Sequence, residues 1–160
     1  MAMRSNRGFS LVELLIVVAV ILIIAAIAIP NLMRARMTAN ESSAVGSLRT
    51  IDTDEVAYQT TYPTVGFTSL AALGGASPCT PSSTTGCFLD SILATNGNGN
   101  GKDGYSFTVT SPSTTGYSSN ADALIINQTG TRSFCTDQNA VIYFLSGANG
   151  CTTTTGQPLQ

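Results

Sequence analysis

With no histidine in its 160 residues, this chain leaves any chemistry to carboxylates, thiols and amides. One carboxylate stands apart. Glu13 sits at the head of an apolar run in which Leu14 to Ile29 carry no charged or polar side chain. A carboxylate in such a run costs free energy unless it is paired, and residues of this kind are usually functional. Asp52, Asp54 and Glu55 form a second group, but on a helix positions i, i+2 and i+3 do not share one face. They read as a solvated surface. Four thiols, Cys79, Cys87, Cys135 and Cys151, all follow the apolar run. Their even number and their place beyond that run favour disulfides, with three pairings open. The sequential pairing, Cys79–Cys87 with Cys135–Cys151, is preferred because each bond closes a loop rich in Ser, Thr and Gly. Zinc is disfavoured, since there is no C-x-x-C spacing and no histidine. Asn96, Asn98, Asn100 and Gly101 stand at EF-hand spacing, but the last position falls on Phe107 where a bidentate Glu is needed. That stretch reads as a tight turn entering a strand. No metal and no cofactor is expected. Without a G-x-S-x-G, a Walker sequence or a supported carboxylate pair, an enzyme is not expected either.

The elements that position these groups begin with the apolar run. Phe9 to Ile29 is broken only by Ser10 and Glu13. At ~1.5 Å per residue this helix is about 31 Å long, enough to cross the hydrocarbon core of a bilayer. Arg4 and Arg7 precede it, and positive charge stays on the cytoplasmic side, so the chain begins inside and runs outward. A secretory signal places small residues after its apolar core. Here the small residue, Gly8, comes before it, so cleavage between Gly8 and Phe9 would leave the helix on the mature protein.

Gly8-Phe9-Ser10-Leu11-Val12-Glu13, with a basic leader before it and an apolar run after it, closely resembles the class III leader of type IV pilins and pseudopilins. The resemblance implies cleavage after Gly8 by a prepilin peptidase and N-methylation of Phe9. It also implies assembly of the apolar helices into a filament core. Residues 39–49 (A-N-E-S-S-A-V-G-S-L-R) resemble the corresponding stretch of many pilin-like proteins.

The chain divides into residues 1–8 as leader, 9–30 as transmembrane and filament-core helix, 31–60 as its amphipathic continuation and 61–160 as head. Pro30 lies inside the helix and should kink or loosen it. Beyond it, Ala44, Leu48, Ile51, Glu55 and Tyr58 recur at alternating spacings of four and three, which sets them on one face. Val45 and Val56 should widen this stripe. Arg34, Glu41, Arg49 and Asp52 fall on the opposite, polar face. Tyr62-Pro63 ends the helix. Short turns or helices are expected over residues 67–73 and 88–93. Residues 105–110 alternate apolar and polar side chains, the mark of a half-buried strand. Residues 123–127, 132–136 and 140–145 follow as further strands of an antiparallel meander of three or four. A sheet this small needs one face covered, and the amphipathic half of the helix is the one element large enough. The fold class is α+β: a long helix, transmembrane then amphipathic, packed on a small antiparallel sheet, as in the pilin ladle. Residues 104–107, 131–134 and 141–143 resemble that family's sheet segments.

Net charge is −2, and loss of Arg4 and Arg7 takes it to −4. No basic run follows Arg36, which argues against an electrostatic nucleic-acid binder, although a filament could gather Arg34, Arg36 and Arg49 into a patch. Asn127-Gln-Thr129 and Asn40-Glu-Ser42 match the glycosylation sequon. The function therefore comes from assembly. The resemblance implies a type IV pilus subunit whose partners are other copies of itself in a helical homopolymer, the prepilin peptidase and the inner-membrane assembly machinery with its ATPase. It implies a precursor in the inner membrane and then a surface pilus, of a Gram-negative-type bacterium, serving adhesion, motility or DNA uptake. In assembly the Phe9 amine of one subunit would pair with Glu13 of its neighbour. Other readings are a type II secretion pseudopilin, a minor pilin and a membrane-anchored adhesin that never polymerises.

Overall fold

The computed structural model describes residues 9–75 and 78–159 and forms two compact units that divide between Ala35 and Arg36. The leader, residues 1–8, lies outside the described residues. Helix α1 (Leu11–Thr61) is shared by both units. In the first, every large apolar side chain from Phe9 to Met33 is exposed. This segment is long and apolar enough to cross a membrane. The helix passes through Pro30 without a break in its assignment. The proline ring still removes one N–H, so the carbonyl of Ala26 loses its usual donor.

The second unit is built against the remainder of α1. Ala44, Leu48, Ile51, Glu55 and Tyr58 are all buried, as their spacing predicts. Two other expectations for this helix fail. Val56 is 52% exposed. Glu41 and Asp52, expected on the polar face, are buried at 5% exposure each, and Glu55 is fully buried, so these acids do not form a solvated surface. The reason is that the head wraps further around α1 than one apolar stripe requires, and it brings donors to each of these carboxylates except one oxygen of Glu55.

Two one-turn helices follow. In α2 (Leu70–Leu73) the Ser69 hydroxyl accepts from the Ala72 N–H. In α3 (Ser91–Ala94) the Asp90 carboxylate accepts from the N–H groups of Ile92 and Leu93. Both are N-caps that satisfy otherwise orphaned donors. A 3-10 turn at Gly97–Gly99 leads to the sheet. Asn96 anchors that turn: its Oδ1 accepts from the Phe107 N–H at 2.7 Å and its Nδ2 donates to the Ser106 hydroxyl at 2.9 Å.

The sheet has five antiparallel strands in sequence order, β1 (Tyr105–Thr110), β2 (Ser118–Ala123), β3 (Arg132–Asp137), β4 (Tyr143–Ser146) and β5 (Gln157–Pro158). The expected strand 105–110 is β1. The expected strand at 123–127 is instead a turn in which Leu124 and Ile125 are exposed, and the pairing strand is the preceding S-S-N-A-D-A. Its small side chains suit a strand hydrogen-bonded on both edges, where Phe107 faces Ala121 and Ala121 faces Phe134. Tyr105, Phe107, Ala121, Ala123 and Phe134 pack on the α1 stripe in one core. Gly130 permits this packing, because a Cβ there would lie 1.9 Å from the Tyr105 hydroxyl oxygen. The disulfides are Cys79–Cys87 and Cys135–Cys151.

Candidate functional site

At the start of the first unit, Ser10 precedes the first helical residue and its carbonyl accepts from the Leu14 N–H at 3.2 Å. The Ser10 N–H donates to Glu13 Oε2 at 3.0 Å. This is the reciprocal half of a capping box, in which the third helical residue reaches back to the N-cap backbone. Ser10-Leu11-Val12-Glu13 carries that S-x-x-E signature in its sequence, so the cap was there to be read beside the charge. Phe9 is 80% exposed and immediately precedes Ser10. Gly8 lies outside the described residues. Of the expected assembly residues, Phe9 and Glu13 therefore share the helix start, while Pro30 lies almost five turns further on. Around Glu13 the side chains of Leu11, Val12, Leu14 and Ile16 are exposed.

The second unit holds its acids by distant donors. Glu41 Oε1 accepts from the Thr131 N–H at 2.8 Å, the Thr131 hydroxyl at 2.7 Å and the Arg132 N–H at 3.2 Å. Its Oε2 accepts from Arg132 Nε at 2.9 Å and Nη2 at 2.7 Å. Burial pushes the Glu41 carboxyl up, but these donors and the guanidinium charge outweigh it and hold the group below the usual range. Beside it, Asn40 Nδ2 donates to the Thr129 carbonyl at 2.9 Å. Asp52 accepts from the Tyr117 hydroxyl at 2.7 Å and the Thr136 hydroxyl at 3.1 Å. Burial nevertheless raises it.

Glu55 is the weakly satisfied member. Oε2 accepts from the Thr68 N–H at 3.0 Å, while Oε1 is buried without a partner. Burial, with Asp52 and Asp54 nearby, pushes it up to about 7. Asp54 is pushed up to about 6 by burial and by Asp90. No group of acids, cysteines or histidines among the described residues is arranged to hold a metal. Glu41, Asp52 and Glu55 bind the head to its helix, whereas the buried Oδ2 of Asp54 has no partner among the described residues.

Residues 3–29 match the family described as the prokaryotic N-terminal methylation motif. The chain is 47% identical over 60 residues to the type IV wide pilus major component PilA4 of Thermus thermophilus, covering 38% of this chain and 43% of that protein. It is 45% identical over 53 residues to the type IV major pilin protein PilA of Myxococcus xanthus, covering 33% of this chain and 24% of that protein. The matches thus span less than half the length of either relative. With the helix start described above, they define the class: the chain carries the amino-terminal segment of a type IV pilin with a class III leader.

Proposed function

We propose that this protein is a structural subunit of a type IV pilus, a major one as the two relatives are named. A prepilin peptidase cleaves it after Gly8, Phe9 becomes the methylated N-terminus, and the apolar segment of residues 9–30 anchors the precursor in the inner membrane of a Gram-negative-type cell. From there it polymerises into a surface filament that serves adhesion, motility or DNA uptake. The observation that carries this reading is a capped carboxylate, Glu13, four residues after Phe9 at the start of a helix whose large apolar side chains are exposed. Uncovered apolar surface of this extent needs lipid or a partner, and identical helices supply one.

The helix cap adds a step to the mechanism. Before assembly Glu13 is held by its own Ser10 N–H. After cleavage, a cationic amine on Phe9 gives the carboxylate of a neighbouring subunit a charged partner. A buried charge costs far more unpaired than paired, so the correct axial register is favoured over slipped ones. Pro30 leaves an acceptor carbonyl that a neighbouring helix must satisfy. The test joins two measurements on the cells that make the protein: imaging of surface fibres composed mainly of this chain, and intact mass of the purified subunit. A mature chain that retains residues 1–8, in cells with the peptidase, would overturn the proposal.

A further inference from the structure

Two grooves run along opposite flanks of α1 in the second unit, and they differ in which charged group is left without a partner among the described residues. The first is lined by Arg49, Asp52, Thr53, Val56 and Ala140. Arg49 is exposed, and its guanidinium has no partner among the described residues. Val56, which lines the same groove, is 52% exposed. The second groove lies between α1 and α3 and includes Asp90, Leu93 and Lys102. Asp90 is exposed; its Oδ1 caps α3 and its Oδ2 has no partner among the described residues. Ile92, two residues on, is 58% exposed. Lys102, which also lines this groove, is already engaged with Asp103 at 3.3 Å and with the hydroxyls of Ser43 and Ser47. Asp54 lies close enough to Asp90 to feel its charge. Among the described residues, one flank thus offers a cation without a partner beside an exposed valine, and the other a carboxylate with one oxygen left over beside an exposed isoleucine.

A helical filament needs a heterologous contact, in which two different patches of the same chain meet. Opposite charge sets the register of such a contact and apolar burial stabilises it. We infer that the Arg49–Val56 flank of one head docks on the Asp90–Ile92 flank of a second copy, with Arg49 facing Asp90 and Val56 facing Ile92. This inference rests on the filament reading above.

The experiment uses the full chain in the cells that assemble it. In filaments of a Val56→Cys/Ile92→Cys variant, mild oxidation should produce a ladder of linked subunits on a non-reducing gel. Either single variant should produce dimers at most, and the unaltered chain none. Arg49→Glu should cut filament abundance at least tenfold, and adding Asp90→Lys should restore most of it. Asp90→Asn, which keeps a capping oxygen for α3, should weaken filaments without loss of the folded head. Abundant double-cysteine filaments without a ladder would overturn the inference and leave the filament reading intact. So would normal filaments from Arg49→Glu. If the unaltered chain forms no fibres, the filament reading fails and takes this contact with it.

Discussion

Glu41 of α1 and Arg132 of β3 stand 91 positions apart and are joined by two donors, Nε and Nη2, that converge on one carboxylate oxygen. The other oxygen takes the backbone and hydroxyl of Thr131. Arg132 in turn lies 5.4 Å from the ring centroids of Phe134 and Phe144. The pair fixes where the sheet meets the helix. Glu41→Ala leaves a half-buried guanidinium and two backbone donors without their acceptor. It should cost about 2–3 kcal/mol, near the lower end for breaking a buried pair because Arg132 is partly exposed. Chemical denaturation of the detergent-solubilised chain would read this as a lowered midpoint with an unchanged slope.

The pH dependence of the head should carry two opposing signatures. Glu41 is held low, so its contribution is present above the unfolded carboxylate value and is lost in acid. Glu55 and Asp54 are raised to about 7 and about 6 from 4.5 and 3.8. The folded state therefore binds protons that the unfolded chain releases. Their contribution is largest below about pH 4 and falls as pH rises towards 7. Thermal melts from pH 5 to 8 should show stability decreasing with pH, and Glu55→Gln should flatten most of that slope. A slope unchanged by Glu55→Gln would contradict the assignment.

The two disulfides should differ in accessibility. Cys135 and Cys151 are 0% and 1% exposed, whereas Cys79 is exposed. Graded reduction followed by alkylation and peptide mapping should label Cys79 and Cys87 first. Loss of Cys135–Cys151, whose partners are 16 residues apart, should cost ~3 kcal/mol if the effect is chiefly on unfolded-chain entropy.

Glu13→Gln is the sharper probe of assembly, because glutamine at that helix position retains the cap to Ser10 and removes only the charge. Membrane insertion should be no worse, since the change removes a charge from an apolar span. Filament number per cell should collapse while the precursor accumulates at normal levels. Filaments of normal length and abundance would mean that charge pairing is not the docking device.

Much of this architecture was legible because it is periodic. The buried stripe from Ala44 to Tyr58 and strand β1 follow directly from spacings of three, four and two. Strand β2 was not legible, because S-S-N-A-D-A has no bulky residue to mark a face, and its conformation comes from neighbours paired on both edges. Glu41 and Asp52 were misplaced for a similar reason. A carboxylate on a helix reads as solvated until its donors are known, and these donors arrive from Tyr117 and residues 131–136. Val56 failed in the other direction, since an apolar residue at the margin of a stripe says nothing about where the covering sheet stops. At the candidate assembly site both signals stand in the sequence, the charge at Glu13 and the S-x-x-E spacing that bonds it to Ser10, and the second is recognised once the helix is started at Leu11.

The strand order has a kinetic consequence. Each strand pairs with the next in the chain, so the sheet can form through local hairpins, which close in about 1–10 μs. The ties from α1 to that sheet, Glu41 to Arg132 and Asp52 to Tyr117, instead bridge 91 and 65 positions and carry a larger loop-closure entropy. We therefore expect helix docking to follow the rate-limiting step. Substitutions at Glu41 or Asp52 should then accelerate unfolding and leave the folding rate nearly unchanged, a difference that stopped-flow measurements on both arms would resolve.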